Sequence, residues 1–88
     1  MKNHTKVYMK YFGYDESYFI PSEISGLPAV DINHINCRGM GGSKEKDNIE
    51  NLIAVTREEH EEYGDKKEFI EFLQDIHNKF MKTHGRQR

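Results

Sequence analysis

Cysteine is nearly absent from this 88-residue chain, where Cys37 stands alone. A single thiol excludes an internal disulfide and a cysteine-rich zinc site. Long apolar runs are missing as well. The longest is Leu52 to Val55, far short of the roughly 20 residues that a bilayer-spanning helix needs, so no membrane partner is expected. No charged-then-apolar leader opens the chain, which leaves secretion without support and makes the cytoplasm the expected compartment. Positive charge is not in excess either. The net charge is −2 and the pI about 6.2, so no global basic signature for nucleic acid is present. Internal repeats and low-complexity tracts are also lacking.

What remains is a chain with 35% hydrophobic and 32% charged residues, enough apolar content for one small domain with a thin core. Charge is unevenly spread. Eight acids (Glu58, Glu59, Glu61, Glu62, Asp65, Glu68, Glu71, Asp75) fall between Arg57 and Asp75, and Lys79, Lys82, Arg86 and Arg88 make the tail basic. The plain reading is a solvated helix face followed by a frayed tail.

Residues 3 to 12 carry Val7, Tyr8, Tyr11 and Phe12 at helical spacing, with Asn3 or Thr5 as a cap and Gly13 as the exit. Pro21, Gly26 and Pro28 punctuate turns around a short extended piece at Tyr18 to Ile20. Residues 29 to 36 alternate, with Val30, Ile32 and His34 on one face and Asp31, Asn33 and Ile35 on the other, as in a strand. A glycine-rich polar loop follows, then a short apolar strand from Asn51 to Val55. Thr56 with Glu59 three residues on forms a capping box for a helix that pauses near Gly64. A second helix, 65 to 83, places Phe69, Leu73, Ile76 and Phe80 on one stripe, widened by Ile70 and Phe72. The expected fold is α+β: a hairpin packed on a helix, with an N-terminal helix and a long C-terminal helix.

Along this frame lie His34 near the end of the first strand, Asn51 at the start of the second, and His60 in the helix. Each has a plainer role when taken alone: a hydrogen-bonded core histidine, a turn residue, a surface histidine. Together, in the text VDINHINCRGMGGSKEKDNIENLIAVTREEHEEYGD, they closely resemble the HNH endonuclease family and its ββα-metal fold. The resemblance covers residues 19 to about 66, with 1–18 as an N-terminal helix and connector and 65–88 as a C-terminal helix and tail. It implies hydrolysis of DNA phosphodiester bonds with one divalent ion. His34 would be the general base, Asn51 the anchor of the loop, and His60 and Asn33 ligands to the metal. A histidine suits the first task because it accepts a proton near neutrality. Arg38 and Lys44, flanking the loop, would contact phosphates or simply face solvent. Gly39, Gly41 and Gly42 serve loop geometry rather than a phosphate cradle.

The chain departs from the family twice. Where His or Asp normally ligates the metal it has Asn33, an uncharged oxygen ligand. Mg²⁺ or Mn²⁺ shared with the phosphate is therefore expected rather than tightly held Zn²⁺, unless Asp31 or Glu59 swings in. Relatives also hold a structural zinc through two C-x-x-C pairs. The matching positions here are Ser22, Ser25, Thr56 and Glu59, so no structural zinc is expected, and packing must replace about 10–16 kcal/mol of metal binding. Two further readings stay open. One is an eroded form of the fold kept as an assembly component, with phage packaging or virion proteins as partners. The other is a non-catalytic DNA-binding module, disfavoured by the acidic helix.

Overall fold

The computed structural model describes residues 2–17, 19–36 and 47–84. Within them the chain forms helix α1 (Asn3–Phe12), strand β1 (Asp31–His34), a 3₁₀ turn (Ile49–Asn51), strand β2 (Leu52–Val55), helix α2 (Arg57–Tyr63), a second 3₁₀ turn (Lys67–Phe69) and helix α3 (Ile70–His84). The expected α+β class is the observed one: an antiparallel two-stranded hairpin with helices on both sides. No helix among the described residues is long and apolar enough to cross a membrane.

The register explains the layering. Ile32 pairs with Ala54 and His34 with Leu52, while Asp31 pairs with Val55 and Asn33 with Ile53. Cross-strand partners share a face, so the hairpin has two distinct sides. Leu52 and Ala54 pack with Tyr8 of α1, joined by Ile32, Phe12 and Tyr14. Ile53 and Val55 pack with Ile35 and Leu73, joined by Tyr63, Ile70 and Ile76 of the α2 and α3 side. With both faces covered, β2 is buried at every position and reads as a continuous apolar run rather than an alternation.

Several local expectations need correction. The first strand is shorter than 29–36, although the ladder continues through the bonds from Val30 N–H to Val55 O (3.0 Å) and from Ile35 N–H to Asn51 O (2.8 Å). Its deeply buried side is the one with Asn33 and Ile35, while Val30 is 59% exposed. Asn51 belongs to the 3₁₀ turn rather than to β2. Neither Asn3 nor Thr5 caps α1; the cap position is Lys2, without a side-chain bond, and Asn3 donates to Asp47 Oδ2 instead (2.7 Å). Phe72, expected on the core stripe of α3, is 42% exposed. Other local signals hold: Gly13 ends α1 in the left-handed conformation (φ 77°) that glycine adopts at little cost, and the Thr56–Glu59 capping box opens α2.

Candidate functional site

Because β1 is an edge strand, both of its faces reach one cavity of about 580 Å³, lined among others by His4, Asp31, Asn33, His34, His60 and Asp65. On the α2 side, the His60 ring lies between two carboxylates. Its Nδ1 is 3.2 Å from Asp31 Oδ2, and its Nε2 is 3.6 Å from Asp65 Oδ2. The first contact is off-axis: Nδ1 is buried and makes no hydrogen bond among the described residues, and Asn33 Nδ2 is likewise buried without one. Gly64 leaves room for both side chains. A Cβ there would stand 2.9 Å from His60 Cδ2 and 3.2 Å from Asn33 Nδ2. Asp65 follows in the left-handed region (φ 59°), an uncommon conformation that aspartate tolerates better than most residues.

On the α1 side, His34 Nε2 is 2.7 Å from Asp47 Oδ1, and the His4 ring lies 4.6 Å from the His34 ring, centroid to centroid, at 49°. Hydrogen bonds from Asn3 and then from His34 hold the Asp47 carboxyl below its usual range, so it is ionised at neutral pH. An ionised carboxylate accepts only, which selects the His34 tautomer with its proton on Nε2 and its lone pair on Nδ1. Burial, followed by the neighbouring His34, lowers the pKa of His4. Each of His4, His34 and Asp47 places a ligand atom within 4.8 Å of the others, so this group could hold a metal ion. His4 and Asp47 were not expected. Residues 30 and 13 positions away from His34 leave no periodic mark in a sequence.

Asn51 acts on the backbone just past β1. Its Oδ1 accepts from Asn36 N–H (2.9 Å) and its Nδ2 donates to Asn36 O (3.1 Å), a two-point clamp on the exit from His34. The four positions Ser22, Ser25, Thr56 and Glu59 also meet. Ser22 Oγ donates to Glu59 Oε1 (2.6 Å) and accepts from the N–H groups of Ile24 and Ser25, and Thr56 N–H donates to the same Glu59 oxygen (2.8 Å). Hydrogen bonds thus join the connector to the start of α2. Arg38 and Lys44, like Cys37 and the loop glycines, lie outside the described residues, as do Arg86 and Arg88 of the tail. Lys2 is a cation that does line the cavity.

The Glu59 contacts carry a pH prediction. Burial pushes its carboxyl up, but hydrogen bonds from Ser22, Ser25 and Thr56 together outweigh burial and leave it below the usual 4.5. A lowered folded pKa means stability that is complete above the unfolded value and lost as pH falls through the folded one. The urea midpoint is therefore expected to fall as pH drops below about 4.5, and Glu59→Gln is expected to flatten part of that slope. An unchanged slope in Glu59→Gln would remove Glu59 from the account.

Compared with family models, with curated proteins and with solved structures, the chain has no significant match.

Proposed function

We propose that this chain is a divalent-metal-dependent DNA endonuclease of the HNH type, acting in the cytoplasm. The observation that carries this reading is the cavity around the edge of β1, lined both by a carboxylate-oriented histidine on one face and by His60 and Asn33 on the other.

The residues on the second face fit a hard cation. Asn33 Nδ2 and His60 Nδ1 are buried without hydrogen bonds, and a flip of the Asn33 amide would present its oxygen in place of the orphaned nitrogen. Asp31 adds a carboxylate beside His60, and such oxygen-rich sets suit Mg²⁺ or Mn²⁺ completed by phosphate and water. A cation bound there supplies charge neutralisation at the phosphate and the leaving oxygen. His34 takes the proton of the attacking water at Nδ1. Asp47 keeps the ring in the competent tautomer and stabilises the imidazolium that forms, as a carboxylate partner does in hydrolytic triads. Asn51 holds the chain beyond His34 in place through the Asn36 backbone. Lys2 offers a positive charge to the phosphate from the rim.

One observation favours the second reading, an assembly protein with catalysis eroded: His60 already lies between the carboxylates of Asp31 and Asp65, and Asn33 brings no charge to a cation. Supercoiled plasmid separates the two. The endonuclease converts it to nicked circles with Mg²⁺ or Mn²⁺ and stops on addition of a chelator. No nicking with either ion would overturn the enzyme reading in favour of the assembly role.

A further inference from the structure

We propose that His4, His34 and Asp47 bind one Zn²⁺ ion, and that the bound ion silences His34. The binding stands without the nuclease reading; the silencing rests on it. Three segments far apart in the chain supply the ligands: α1, the end of β1, and Asp47, two residues before the 3₁₀ turn. Their donor atoms fall within 4.8 Å of one another, and all three residues are half-buried. The set is two imidazoles and one carboxylate, the three-ligand class that zinc completes with a water. Two imidazoles select zinc and its borderline neighbours over Mg²⁺, which asks for an octahedron of oxygens.

The Asp47 side of the site is built before the ion arrives. Asn3 Nδ2 donates to Asp47 Oδ2 (2.7 Å), the outer-shell support that ligating carboxylates usually have. Tetrahedral ligands about 2.0–2.1 Å from zinc lie about 3.3 Å apart, and the His34 Nε2 to Asp47 Oδ1 distance is 2.7 Å. Binding therefore asks that the Nε2 proton move to Nδ1, that the carboxylate swing outward by about 0.6 Å, and that the His4 nitrogen, within 4.8 Å of the other two donors, close to the ligand spacing.

Occupancy has a chemical consequence for His34. A neutral imidazole that gives the Nε2 lone pair to zinc carries its remaining proton on Nδ1, so it has no lone pair to offer a water. The hairpin thus presents two ion sites of different character. Its α2 face suits a hard cation shared with phosphate, and its α1 face suits zinc at the base itself.

The test is a Zn²⁺ titration of the full chain against a chromophoric chelator, with Co²⁺ as a spectroscopic probe of tetrahedral geometry. One Zn²⁺ per chain is expected. His4→Ala and Asp47→Asn should each weaken it at least tenfold, and zinc should raise the melting temperature of the natural chain but not that of His4→Ala. His4→Gln, which keeps a polar helix residue, guards against a folding defect. Affinities of His4→Ala and Asp47→Asn within twofold of the natural chain would overturn the site, as would loss of binding in His60→Ala. Where Mg²⁺-dependent nicking is present, zinc should inhibit it, and His4→Ala should need at least ten times more zinc for half-inhibition. Absence of nicking would defeat the nuclease reading and leave the titration to judge the site alone.

Discussion

Alanine at His34 is expected to lower plasmid nicking by about 10²–10⁴-fold, the usual worth of a positioned general base, with the circular dichroism spectrum unchanged. The side chain is only half-buried (23% exposed) and packs beside His4 rather than in either apolar cluster, so its removal opens no core cavity. Asp47→Asn probes the same step by a different route. With its oxygen held by the Asn3 donor, an amide at position 47 would turn its NH₂ to Nε2 and donate instead of accepting, moving the imidazole proton to Nδ1 and placing the lone pair on the wrong nitrogen. The rate should then fall nearly as far as in His34→Ala although the ring stays in place. Asn33→Asp should act in the opposite sense. A carboxylate beside His60 adds charge to an otherwise weak ligand set, so half-maximal activity should need less Mg²⁺. Nicking by His34→Ala within threefold of the natural chain would remove His34 as the base, whatever Asn33→Asp did.

The residues whose roles could be read in advance are those whose signal is local. Thr56 and Glu59 announce a helix start because both halves of a capping box fall within four residues. Leu73 and Ile76 announce a buried helix face because helical periodicity repeats along one element. β1 shows where this kind of reading stops. Alternation sorts its residues into two faces, but which face is more deeply buried depends on what packs there, and here both sides of the hairpin are covered. Asn33 therefore turns inward while Val30 is exposed. The site divides the same way. His34, Asn51 and His60 stand out through a resemblance in sequence order, whereas His4 and Asp47 become visible only when α1 folds over the hairpin. Gly64 had a local signal, a pause in the helix, but its close approach to Asn33 and His60 is a fact of three dimensions.

His77 went unnoticed for the same reason, and the second large effect is expected there. The ring is fully buried, and so is the side chain of its partner Glu23, 54 residues away. Nδ1 lies 2.8 and 3.0 Å from the two Glu23 oxygens, Nε2 donates to Ile49 O (2.7 Å), and Tyr8 OH donates to Glu23 Oε2 (2.5 Å). Burial, with the Glu23 charge beside it, pushes the Tyr8 hydroxyl far above its usual pKa, so it remains a donor across the working pH range. Glu23 and His77 together thus tie α1, the segment between α1 and β1, the 3₁₀ turn before β2, and α3. Glu23→Ala strands two buried donors at once, and breaking a buried pair from one side costs about 3–5 kcal/mol, a large share of the roughly 5–15 kcal/mol that holds a small domain together. In a chain of this size that corresponds to a fall in melting temperature of about 15–30 °C. Tyr8→Phe removes one donor and leaves the pair intact, so it should cost about 1.5–3 kcal/mol. Urea midpoints measured for both variants set the order. A loss below 1 kcal/mol in Glu23→Ala would mean that the buried pair does not bind these four segments together.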